Sequence, residues 1–104
     1  MRMWNVDVKK MCRKHLLGEH VEMHMFVGFI QKGKSIQGFL DNQLVEVHNI
    51  IKRHEELKKE MIRRGYKHNS PIKKIKLIEA GFVDKKLNLK ELCNRCKECG
   101  SNIR

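Results

Sequence analysis

The chain has 104 residues, 40% hydrophobic, with one proline, which fits a single compact domain with a modest core and argues against two independent ones. Its 23 lysines and arginines against 12 acidic residues give a formal charge of +11, which points to a polyanionic partner, nucleic acid first, because clustered cations release counterions from phosphate backbones; the other reading is a basic protein with no such partner. No apolar run reaches the roughly 20 residues needed to span a bilayer, and MRMWNVDVKK lacks the apolar stretch of a secretory signal, so no membrane association is expected and the protein reads as intracellular, whether cytoplasmic, nucleoid-associated or a viral gene product.

In chain order, Asp7 is placed to cap a first helix, in which Val8, Met11, Cys12, Leu16 and Leu17 recur near the helical period. Gly18 weakens the continuation without forbidding it. The pattern resumes through Val21, Met23, Met25, Phe26, Phe29 and Ile30 and ends in QKGKSIQG, which reads as a loop. A second long helix is predicted from about Asn42 to Arg64, with Leu44, Val45, Val47, Ile50, Ile51, Leu57, Met61 and Ile62 on its buried face. Its opposite face carries Lys52, Arg53, Glu55, Glu56, Lys58, Lys59, Glu60, Arg63 and Arg64 and is expected to be solvated. Gly65 is the stop signal. PIKKIKLIEAGFVDKK fits either an extended segment or a helical turn. Asn88 and Glu91 have capping-box spacing for a last short helix starting near Leu89. Without internal repeats or linkers, this gives an all-α single domain, residues 1–104, of about three main helices.

Three constellations carry chemical interest. His20 and His24 are four apart and share a helix face. The zinc-protease order is His-Glu-x-x-His, however, whereas here it is His-Val-Glu-Met-His, and Glu22 projects about 200° from His20 around the helix. Metal binding by this pair is therefore not the favoured reading. Glu22 itself lies between Val21 and Met23; a carboxylate beside apolar groups can take a raised pKa and transfer protons, but spacing alone favours an exposed glutamate. Cys93, Cys96 and Cys99 recur every three residues. A structural zinc there would need a fourth ligand from Cys12, a histidine or a neighbouring chain, and the same spacing suits cysteines packed as small hydrophobes on a helix face. P-loop, Gly-x-Ser-x-Gly and Rossmann glycine patterns do not occur, which removes support for nucleotide-driven and serine-hydrolase chemistry.

The combination of MRMWNVD, KHLLGEHVEMH and HEELKKEMIRRGYKHNSP, in that order over residues 1–71, resembles the pyrimidine-dimer DNA glycosylases of the phage and viral endonuclease V type. The most specific stretches are His15 to Glu22 and Glu60 to Pro71. The resemblance implies a small all-α, monomeric enzyme acting on double-stranded damaged DNA as a glycosylase and abasic-site lyase, with no cofactor required for catalysis. It implies that the nucleophile is the α-amine of the first residue, here Met1. The family's usual nucleophile-bearing residue is a threonine exposed by methionine removal; the bulky Arg2 favours retention of Met1. It also implies that Glu22 is the catalytic acid, that Arg2 and His15 contact DNA near the lesion, and that Lys14, His20 and His24 lie beside them as DNA-binding or supporting positions.

The chemistry is sensible on its own terms. An α-amine has a pKa of about 7.7 to 8.0, so a useful fraction is neutral and nucleophilic at physiological pH. The chain departs from the family in having Val21 where arginine commonly precedes the catalytic glutamate and Met25 where a basic residue is usual. Cys93, Cys96 and Cys99 stand where the phage enzyme has an aromatic, basic segment, so other lesions or abasic sites alone remain open as substrates. The alternative reading is a non-catalytic nucleic-acid-binding module stabilised by a cysteine-ligated metal; a third is a structural partner protein whose charge serves solubility.

Overall fold

The computed structural model describes residues 1–103. Its regular structure is entirely helical, as the all-α expectation requires: α1 is Arg13–Gln31, α2 Gln37–Asp41, α3 Ile50–Arg63, α4 Lys85–Arg95 and α5 Lys97–Ile103, with 3-10 turns at Val8–Lys10 and Val47–Asn49. The Cα extents are 39 × 31 × 16 Å. With a helix about 10 Å across, the shortest axis holds little more than one helix layer and its cover.

The predicted first helix is divided. Asp7 does accept a hydrogen bond from the Lys9 N–H at 3.0 Å, but it caps only the 3-10 turn; the backbone is extended at Met11 and Cys12, and Cys12 is the N-cap of α1. The Arg64 guanidinium explains why the break is tolerated, since it donates to the carbonyls of Val8 at 3.0 Å and Met11 at 2.7 Å, groups that a continuous helix would satisfy internally. From Arg13 the helix runs through Gly18 without interruption.

α1 buries Leu16, Glu19, His20, Met23, Phe26 and Val27, and α3 buries Ile50, Arg53, His54, Leu57, Glu60 and Met61. Both sets step by three and four, the two helices pack on each other, and their seam is the centre of the core. Two residues assigned to the solvated face are corrected here. Arg53 is 1% and Glu60 3% exposed, because each has a partner of opposite charge: Glu19 grips Arg53 from α1, while Arg63 and Arg64 grip Glu60.

The predicted second helix is also shorter, starting at Ile50 rather than Asn42. The Glu46 carboxylate accepts from the Val83 N–H at 2.9 Å and from Asn49 at 2.8 Å. Its extended backbone makes the stretch before Val47 a connector. Gly65 ends α3 with φ +84°, as expected.

Between Gly65 and Asp84 the chain is irregular, resolving the ambiguous PIKKIKLIEAGFVDKK as a strap across the core. Ile72 and Val83 are buried in it, and the Val47 N–H donates to the Ala80 carbonyl at 2.8 Å. At Gly81, φ is +91° and a Cβ would lie 2.1 Å from the Val45 carbonyl oxygen, so only glycine fits.

The last helix starts earlier than Leu89, at Lys85, capped by the Asp84 carboxylate on the Leu87 N–H. Asn88 is therefore inside α4, where it is buried rather than capping. Cys96 is extended and separates α4 from α5. The two pack so closely that a Cβ on Gly100 would lie 2.7 Å from the Cys93 carbonyl oxygen. Among the described residues no helix is long and apolar enough to cross a membrane.

Candidate active site and cysteine cluster

The N-terminal arm, residues 1–6, is held as firmly as any helix. Met3, Trp4 and Val6 belong to the core, and the Met3 N–H donates to the Leu44 carbonyl at 2.6 Å. Asn88 of α4 donates to the carbonyls of Trp4 at 2.9 Å and Met3 at 3.4 Å. Arg2 lies over the Trp4 ring at 3.9 Å. Its guanidinium is also bound by Asn88 at 2.7 Å and by both Glu91 carboxylate oxygens at 3.1 and 3.2 Å. The Asn5 N–H reaches the Glu19 carboxylate at 3.5 Å, where the backbone takes φ +57°.

The arm leaves the α-amine of its first residue within electrostatic reach of Glu22 on α1. Burial pushes the Glu22 carboxyl above the usual range; the Arg2 backbone N–H and the α-amine at Met1 oppose that rise, and Glu19 adds to it. A half-buried carboxylate within electrostatic reach of an amine can stabilise a developing positive charge and pass protons. Directly behind it, Glu19 and Arg53 form a two-bond ion pair, Nε to Oε2 at 2.6 Å and Nη2 to Oε1 at 2.9 Å. The same Glu19 carboxylate therefore links the arm, α1 and α3.

The other residues singled out in the sequence fall in different places. Lys14 is exposed at the start of α1. The Arg2 guanidinium is engaged by α4, so a DNA contact through it has to compete with Glu91 and Asn88. His20 is 6% exposed and faces the protein rather than solvent, its Nε2 2.8 Å from Nε2 of His68. His24 pairs in the same way with His54 at 3.1 Å. Burial, then the neighbouring imidazoles of His54, His24 and His68, lower the His20 pKa to about 4, and burial followed by His24 lowers that of His54. Two neutral imidazoles can share one proton along each contact, which two imidazolium ions cannot. Ring nitrogens of His20, His54 and His68 lie within 4.8 Å of one another, a group that could also hold a metal ion.

His15 sits in a separate cluster. Its Nδ1 is 3.1 Å from the Cys12 sulfur and 3.6 Å from that of Cys99, and the Cys12 and Cys96 sulfurs are 3.9 Å apart. These four residues have ligand atoms mutually within 4.8 Å and could hold a metal ion. The metal expectation had grouped Cys93 with Cys96 and Cys99; in the structure the partners of Cys96 and Cys99 are Cys12 and His15, and Cys93 lies outside the group. Helical geometry gives the reason, since the extended break at Cys96 ends the face that would have carried all three thiols.

Glu19, Glu46, Asn88 and Glu91 are site-supporting residues that sequence reasoning missed. Glu19 gave no signal by itself, since its burial depends on Arg53 facing it across the seam. The buried Asn88 carried no signal beyond a capping pattern, which pointed elsewhere.

Fold and site together define a small, basic, helical protein whose N-terminal arm is packed into the core and whose first long helix carries a half-buried glutamate. A family model for pyrimidine dimer DNA glycosylase matches residues 1–74, and the chain belongs to that family of DNA-repair glycosylases, for which DNA is the substrate. No curated protein and no solved structure matches the chain. The family match ends before α4 and α5, so Asn88, Glu91, Cys96 and Cys99 lie beyond it.

Proposed function

We propose that the protein cleaves damaged DNA, with pyrimidine dimers as its first substrate, as a combined glycosylase and abasic-site lyase using the Met1 α-amine as nucleophile and Glu22 as its acid–base partner. The observation that carries this reading is the family match over residues 1–74, together with a half-buried Glu22 that lies within electrostatic reach of the N-terminal amine. The neutral amine attacks C1′ of the damaged nucleotide; the glycosidic bond breaks and the base leaves with its electron pair, taking up a proton. Opening of the sugar ring gives an imine between Met1 and C1′. Removal of a C2′ proton then drives β-elimination, which expels the 3′ phosphate. Glu22 stabilises the positive charge that develops on the sugar and relays these protons, and its raised affinity for a proton suits it to both tasks.

No cofactor enters these steps. Lys14 on the exposed start of α1 serves phosphate binding, and the paired His20 and His24 support α1 from behind. Arg2 acts through its backbone at Glu22, while its side chain fixes the arm. The protein works as a monomer on duplex DNA.

Borohydride added during the reaction reduces the imine and leaves a covalent protein–DNA adduct. Adducts are expected on dimer-containing and abasic duplexes, with the peptide attachment at Met1. Glu22→Gln should slow adduct formation by about 10²- to 10⁴-fold with little change in duplex binding. Salt-sensitive binding with no adduct on any lesion would instead identify a non-catalytic DNA-binding module.

A further inference from the structure

We propose that Cys12, His15, Cys96 and Cys99 form a tetrahedral zinc site that staples α5 to the start of α1. Zinc bonds of about 2.3 Å to sulfur and 2.0 to 2.1 Å to nitrogen, at tetrahedral angles, require roughly 3.8 Å between sulfurs and 3.5 Å between sulfur and nitrogen. Three of the six separations are 3.9 Å for Cys12 to Cys96, 3.6 Å for Cys99 to His15 and 3.1 Å for Cys12 to His15, and all six lie within 4.8 Å. A disulfide needs about 2.05 Å, so the cluster has the spacing of ligands around a shared ion and not of a covalent bridge. Three thiolates and one imidazole are soft and borderline donors that select zinc over magnesium or calcium.

The surroundings complete the site. Backbone N–H groups point at all three sulfurs: His15 at Cys12, 3.4 Å; Cys99 at Cys96, 3.5 Å; and Cys12 at Cys99, 3.2 Å. Such donors hold thiolate ligands in orientation and offset their charge. The Trp4 ring meets the His15 imidazole edge-on at 6.0 Å between centroids and helps fix its plane. The ligand order also becomes intelligible. Cys12-x-x-His15 and Cys96-x-x-Cys99 are two ligand pairs with the same spacing, one at each end of the chain, and the overlapping Cys93-x-x-Cys96 of CNRCKEC masks the second.

Such a site would act at a distance on the reactive end of the chain. α5 follows α4 directly, and Asn88 and Glu91 of α4 hold Arg2, so zinc fixes the helix that fixes the arm. Two ligands, Cys12 and His15, lie within the family match and two, Cys96 and Cys99, beyond it, so the site would join the matched core to this chain's C-terminal segment.

The test is metal content of the full chain, purified without chelator from zinc-supplemented medium, read by elemental analysis and native mass spectrometry. One zinc per chain is expected, retained by Cys93→Ser and lost by Cys99→Ser and His15→Asn. Because the last two variants can fail to fold, cobalt substitution of the unaltered chain decides independently: a tetrahedral ligand-field spectrum with thiolate charge-transfer bands supports the site. Metal-free protein with four titratable thiols, a disulfide among Cys12, Cys96 and Cys99, or an octahedral cobalt spectrum without thiolate bands would each overturn it. So would loss of zinc in Cys93→Ser.

Discussion

Replacing Arg53 by methionine leaves the Glu19 carboxylate stranded in the core. Both residues are 1% exposed, and besides Arg53 the carboxylate has the Asn5 N–H, at 3.5 Å. Removing one partner of a buried ion pair costs about 3 to 5 kcal/mol, because the remaining charge is neither solvated nor paired. That is a large share of the 5 to 15 kcal/mol typical of a whole domain. Glu19→Gln should fall at the low end, since an amide keeps one hydrogen bond and Glu56 still stands 3.5 Å from the Arg53 guanidinium. The double replacement Glu19→Leu with Arg53→Met should cost less than Arg53→Met alone, because no charge is then left buried. Urea unfolding followed by circular dichroism reads these differences directly. With slopes of about 1 to 3 kcal/mol per molar, a 3 kcal/mol loss moves the midpoint by roughly 1 to 3 M. Adduct formation should fall with the single change even where the chain stays folded, because Glu19 also ties down Asn5. A cost below about 1 kcal/mol for Arg53→Met, or a double variant that costs as much as Arg53→Met or more, would refute the reasoning.

Two further outcomes follow from burial. His20 is neutral in the folded chain down to about pH 4 but takes a proton near pH 6.5 when unfolded, so the unfolded state binds more protons in between and stability falls as pH drops through that window, by at most roughly 3 kcal/mol. Glu60, held down to about 2 first by Arg63, adds a second loss that begins below its unfolded value near 4.5 and ends near 2; urea midpoints that stay flat from pH 7 to pH 5 would contradict the histidine part. At Gly81, alanine would meet the Val45 carbonyl oxygen at 2.1 Å with φ +91°, whereas at Gly65 nothing lies within 4 Å of an added Cβ. Gly81→Ala should therefore lower the thermal midpoint well beyond the loss of about 1 kcal/mol expected for Gly65→Ala from its left-handed backbone, and equal losses would show that the strap is not packed as described.

The helices were legible wherever apolar residues keep the helical period. α1 and α3 emerge from Leu16, Met23 and Phe26 and from Ile50, Leu57 and Met61, with Gly65 as a stop. Their inner charges were not legible, because Arg53 and Glu60 look like solvent residues until the opposite charge is seen across the seam or one turn away. The start of α3 was misplaced because Val45 and Val47 are buried, and Leu44 half-buried, ahead of the helix, and burial without α-helical hydrogen bonds leaves the same apolar trace. The strap from Tyr66 to Asp84 has no period to read. In the site, Met1 and Glu22 came from resemblance, since nothing in their local spacing joins two residues so far apart. Cys96 and Cys99 were suspected as ligands, but Cys12 and His15 entered only as members of a wider set of possible partners, because their proximity depends on how α5 folds back.

The bonds from Asn88 and Glu91 to the N-terminal arm join residues 84 to 89 positions apart. Contacts of such separation form late and slow a folding reaction, since the whole intervening loop must be ordered first. During synthesis α4 leaves the ribosome long after the arm does. The arm is thus among the last parts of the chain to be fully held, its Arg2 side chain waiting for Asn88 and Glu91. Truncation near residue 85 would keep every residue of the family match and still remove the Asn88 and Glu91 bonds that hold the arm.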